Sequence, residues 1–83
     1  MHKDKMAYFQ WIFNQEQNFL AHLYRMYGGY IDSIILPSPD NNNYIVNINP
    51  KYVGLEEIRT AAAKLHSKFT MLPTIIVQKS QAP

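Results

Sequence analysis

The chain predicts a two-layer α+β fold in the order α-β-β-α-β, a small three-stranded sheet with two helices packed on one face. Three observations carry that reading. Residues 4–27 form a long amphipathic segment; two runs rich in Ile, Val and Tyr flank a cluster of Pro, Ser, Asp and Asn; and a second amphipathic segment is followed, after Pro73, by a third β-branched run. The 83 residues read as one domain, just above the size of about 70–80 residues below which a single core seldom suffices.

The first helix is the most informative element. It holds seven of the eleven aromatic residues: Tyr8, Phe9, Trp11, Phe13, Phe19, Tyr24 and Tyr27. At about 100° per residue its apolar positions span roughly half the circumference, with Trp11 outside that arc among polar residues. So wide an arc exceeds what a small core buries, which predicts a partner surface with Tyr8, Trp11, Phe19 and Met26 as its contacts. Gly28 and Gly29 are expected to end the helix, because glycine accepts the left-handed conformation that closes helix C-termini.

Residues 30–36 and 44–49 read as strands. The second alternates, with Tyr44, Val46 and Ile48 on one face and Ile45, Asn47 and Asn49 on the other. Between them residues 37–43 favour turns, so the pair is a hairpin whose tip is exposed and mobile. Pro50 stops the second strand. Gly54 then opens a helix with Glu56 and Glu57 in its first turn, where the macrodipole favours carboxylates, and Leu55, Ile58, Ala62, Leu65 and Phe69 give it one apolar face. Residues 74–79 form the third strand, and residues 80–83 are expected to fray. A β-α-β crossover placing the third strand beside the first gives the strand order 2-1-3, and the two free edges make edge-to-edge dimerisation a natural continuation.

Composition excludes several function classes. Without cysteine there is no disulfide framework, thiolate metal site or cysteine nucleophile. The charged start and the polar interruptions of the first helix match neither a signal segment nor a membrane span, so a cytoplasmic protein without a membrane partner is expected. Asn, Ile and Tyr are abundant, as in products of AT-rich genes from phages, mobile elements or low-GC bacteria. His2, His22 and His66 have no ligand-spaced neighbours, no Gly-x-Ser-x-Gly elbow or phosphate loop is present, and neither a metal nor a cofactor is implied.

Glu16 falls inside the apolar arc and needs a partner. It reads as an acid for chemistry or interface specificity, or, more commonly for such a residue, as a structural acid that reaches water or meets Arg59 or a tyrosine hydroxyl. The expected function is a small non-enzymatic protein-interaction or adaptor module. It self-associates as a dimer through the first helix or a sheet edge, or binds another protein. The alternative is a small nucleic-acid-binding protein or regulator using Lys51, Arg59, Lys64, His66 and Lys68, although the net charge of only +2 and the mixed charge of the second helix count against it.

Overall fold

The computed structural model describes residues 2–81. Helix α1 spans His2–Tyr27 and a 3-10 turn covers Gly28–Tyr30; strands β1 (Ile31–Ile35) and β2 (Asn43–Ile48), helix α2 (Leu55–His66) and strand β3 (Thr74–Lys79) follow. The expected α+β order is therefore the observed one. β1 and β2 pair antiparallel, and β3 returns parallel to β2 after α2.

The strand order is 1-2-3, which corrects the expected 2-1-3. The reason lies in the side chains of the two competing strands. β1 carries Asp32 and Ser33 in succession, and its register with β2 slips between Ile31 and Ser33, a bulge that suits an edge. β2 alternates without a break: Tyr44, Val46 and Ile48 are fully buried beneath the helices. Its other face is satisfied from both sides, with Asn47 donating to Ser33 Oγ at 3.0 Å and accepting from Gln78 Nε2 at 3.0 Å. Only a central strand uses both of its neighbours in this way.

Both helices pack on the inner face of the sheet. Leu23 of α1 and Ile58 and Ala62 of α2 meet Val46, Ile48 and Val77 in one cluster, while Phe19 of α1 meets Tyr44 and Leu72 in a second. α2 ends at His66, three residues short of the expected apolar stripe, and Phe69 packs from the turn that follows. Ser80, expected to fray, is tied by its N–H to Ile48 O at 2.8 Å and by its hydroxyl to Asp32 at 2.6 Å; residues 82–83 lie outside the described residues. The hairpin tip is exposed and closed by two backbone bonds between Ser38 and Asn41.

No described glycine has positive φ, so Gly28 and Gly29 do not form the left-handed helix end that was expected; the chain turns through a 3-10 segment instead. Close approach, not φ, favours glycine at Gly54. A Cβ there would lie 2.6–2.8 Å from ring and hydroxyl atoms of Tyr52, whose ring stacks on Tyr30 at 4.1 Å. A Cβ at Gly29 meets nothing within 4 Å. Gly29→Ala is accordingly expected to stabilise the fold by about 0.4–1 kcal/mol through the unfolded state. Gly54→Ala, which dislodges Tyr52 from its stack, is expected to cost about 0.5–1.5 kcal/mol. Chemical denaturation of the two variants checks the contrast in sign.

Candidate protein-interaction surface

Residues 7–14 of α1 follow one another as Ala-Tyr-Phe-Gln-Trp-Ile-Phe-Asn, good enough helix formers carrying no charge. Of their side chains, Tyr8, Phe9, Ile12 and Phe13 lie within the arc whose later part packs on the core. Phe9 lies 18 residues before Tyr27, five turns at 3.6 residues per turn, and seven residues before Glu16, so it points in the core-facing direction. Tyr27 is half-buried against the core, whereas Phe9 is 57% exposed. Tyr8 and Phe13, toward the two margins of the stripe, are 53% and 54% exposed, as is Met26, which shares the angle of Tyr8, at 45%; Phe9 is the more central of these positions. The direction is right, but the body has ended.

It ends where α2 ends. Met26 and Tyr27 lie beside α2, together with Ala61 and Lys64, and Phe19 meets the His66 ring edge-to-face at 5.9 Å. Trp11 and Gln15 reach the turn after α2, where they line a cleft of about 100 Å³ with Phe69, Met71 and Leu72. Ile12 makes the outermost contact with the Phe19 cluster. A helix of 26 residues is about 39 Å long at 1.5 Å per residue, and the chain as a whole measures 50 × 24 × 17 Å. The helix thus runs past the end of α2, and Tyr8, Phe9 and Phe13 stand half-exposed on it as an aromatic arm, with Trp11 and Ile12 touching the body at its root.

Two groups fix the angle at which the arm leaves the body. Phe19 is fully buried among Tyr44, His66 and Phe69, with ring centroids 5.4–5.9 Å apart. One turn earlier, Glu16 accepts a hydrogen bond from the Tyr44 hydroxyl at 2.6 Å. This settles the partner of Glu16: a tyrosine hydroxyl, not Arg59. Burial, followed by the bond to the carboxylate and its charge, pushes the Tyr44 hydroxyl well above the usual tyrosine range.

The expected contact residues divide. Tyr8 and Trp11 are on the arm and exposed. Phe19 is corrected from contact residue to core, because it sits at the level of α1 that α2 and β2 enclose. Met26 is exposed, but about 27 Å further along the helix from Tyr8, where it lines a groove of about 210 Å³ with Ala61, Lys64, Leu65 and Lys68. Phe9 and Phe13 belong to the arm and were not singled out from sequence. Their i,i+4 spacing was legible, and what was missing was the level at which the body stops.

The basic residues do not converge. Arg59 donates from Nε to Val77 O at 2.9 Å and pairs with Glu56. His66 Nε2 lies 2.9 Å from Pro73 O and 3.2 Å from Leu72 O, so it carries the hydrogen and donates to these carbonyls. Lys64 and Lys68 flank the Met26 groove, while Lys51 follows the opposite end of β2. Among the described residues no group of three or more His, Asp or Glu could hold a metal ion, and no helix is long and apolar enough to cross a membrane. No protein-family profile, curated protein or solved structure matches the chain.

Tyr44→Phe is expected to lower stability by about 1.5–3 kcal/mol, the range for hydrogen bonds to charged groups. Combined with Glu16→Gln it should cost less than the sum of the single changes, which a double-mutant cycle reads directly. Because the folded-state pKa of Tyr44 is raised above its unfolded value of 10.0, the stabilisation is fully present below pH 10 and is lost as pH rises beyond it. Alkaline denaturation curves are expected to show that loss in the native chain and less of it in Tyr44→Phe.

Proposed function

We propose that the chain is a small non-enzymatic protein-interaction module whose aromatic arm docks into an apolar groove of a partner protein. The observation that carries this reading is the exposure of Phe9, flanked by the half-exposed Tyr8 and Phe13, on a helix whose stripe is core from Phe19 onward. Helix-in-groove recognition uses apolar anchors at such i and i+4 spacings. Aromatic side chains also supply large contact area at low conformational cost. The absence of charge from residue 7 to residue 15 favours an apolar site over an acidic or basic one. The nucleic-acid alternative loses support from the dispersal of its five basic residues, two of which are engaged by carbonyl groups within the fold.

The test places the photo-crosslinking residue p-benzoylphenylalanine at Phe9 or Phe13, and at Asn18 and Arg25 as controls, in cells carrying the native gene. The expected result is an adduct of one discrete mass at the two arm positions and none at the controls. Adducts of similar yield at all four positions, or none at any, would count against the arm as a docking element. An adduct of twice the chain mass would identify the partner as a second copy. Phe9→Ser and Phe13→Ser are each expected to shift folding stability by less than about 0.5 kcal/mol, as surface changes do. Phe19→Ala, within the core, should cost about 3–5 kcal/mol by thermal melting.

A further inference from the structure

The outer edge of β3 is the longer and more regular edge of the sheet. β1, the other edge, is shortened to five residues and bulged at Asp32, whereas β3 runs unbroken through six. Ser80 N–H bonds to Ile48 O, and in a parallel ladder this sets the even-numbered residues of β3 toward β2. The odd-numbered residues Ile75, Val77 and Lys79 therefore turn their N–H and C=O groups to the free edge. The bond from Arg59 Nε to Val77 O on the side away from β2 agrees with that assignment. Beside the edge, a groove of about 380 Å³ is lined by Arg59, Ala63, Ile75, Ile76 and Val77, and the small side chain of Ala63 keeps it open on the helix side.

The sequence of this strand is symmetric in kind about Ile76. Thr74 and Gln78 are polar and face the open side of the sheet, while Ile75 and Val77 are β-branched and face the core. A two-fold interface demands such self-complementarity, since every residue must suit its own symmetry mate. On the open face Ile35, Ile45 and Ile76 stand in register across the three strands, with Ile35 and Ile76 half-exposed. An antiparallel β3 of a second copy, centred on Ile76, extends that row to six isoleucines and sets Gln78 opposite the partner's Thr74. It also sets Lys79 opposite the partner's Pro73, so the strand's own cation does not face its mate, and the Arg59 of each copy keeps its Glu56 counter-charge. Four backbone bonds join Ile75 and Val77 to their counterparts, and the Val77 oxygen has a second lone pair for a partner N–H beside the Arg59 bond.

We infer that a second copy of this chain pairs with the β3 edge, antiparallel and centred on Ile76, to make a six-stranded sheet. The pairing uses none of the exposed residues of the arm.

The chain has no cysteine, which makes the test clean. Ile76 falls in a non-hydrogen-bonded pair with its own symmetry mate, where Cα atoms are about 4.5 Å apart, within the disulfide range of roughly 4.4–6.8 Å. Ile76→Cys is therefore expected to give a disulfide-linked dimer under mild oxidation. Gln78→Cys, displaced from its mate, and Val53→Cys, which is 99% exposed, are expected to remain largely unlinked. Ile76→Lys, which brings two cations together on the axis, should halve the mass measured by light scattering while leaving the circular dichroism spectrum unchanged. Linking of Ile76→Cys no faster than of Val53→Cys would overturn the pairing, as would a native chain that is monomeric throughout a dilution series. Preferential linking at Gln78→Cys would overturn the register. A chain carrying both Phe9→Ser and Phe13→Ser is expected to cross-link through Ile76→Cys undiminished, which separates this interface from the arm.

Discussion

The inner face of β2 is the surface on which the rest of the molecule is assembled. Tyr44, Val46 and Ile48 are fully buried, and each helix meets this face: Leu23 and Ile58 against Val46 and Ile48, Phe19 against Tyr44. In so small a chain few residues are enclosed on all sides, so these three carry a large share of the apolar burial that stabilises the fold. The Tyr44 hydroxyl makes the face specific as well as apolar. It is the group that satisfies Glu16, and without it α1 would bring a half-buried carboxylate to the sheet with no partner.

The arm is a geometric consequence of that arrangement. α1 has 26 residues and α2 has 12, and both lie on a sheet whose strands are five or six residues long. The longer helix must project beyond the layer. It does so with aromatic side chains continuing those it uses for the core, and among the described residues Tyr8, Phe9 and Phe13 are left half-exposed there. With two copies joined through β3, two such arms belong to one particle. A partner presenting two grooves would then gain from effective concentration without any new contact.

Much of the architecture was legible because short-range chemistry decides it. The bounds of β3 follow from Pro73 and the β-branched run after it, the two faces of β2 from its alternation, and the start of α2 from Gly54 with its acidic first turn. Glu16 stood out as a carboxylate in an apolar arc, and a tyrosine hydroxyl was among its anticipated partners. What the sequence concealed depends on where elements stop relative to one another. Periodicity assigns an angle to Phe19 and to Phe9 but not the height at which α2 and the sheet end, so the buried ring and the exposed one looked equivalent. Strand order was concealed for a similar reason. The crossover alone allows the third strand beside either of the other two, and only the pairing of Asn47 with both Ser33 and Gln78, together with the bulge at Asp32, shows that β2 holds the centre.

The most direct test of this account is amide hydrogen exchange along α1 in the free chain. A helical end with few tertiary contacts is marginal in water, whereas a packed one shares the stability of the core. Residues 7–13 are expected to exchange orders of magnitude faster than residues 19–26, with the change falling near the bond between Glu16 and Tyr44. Uniform protection from residue 7 to residue 26 in the free chain would contradict the account, because it would mean that the arm is packed within the molecule and offers no surface to a partner.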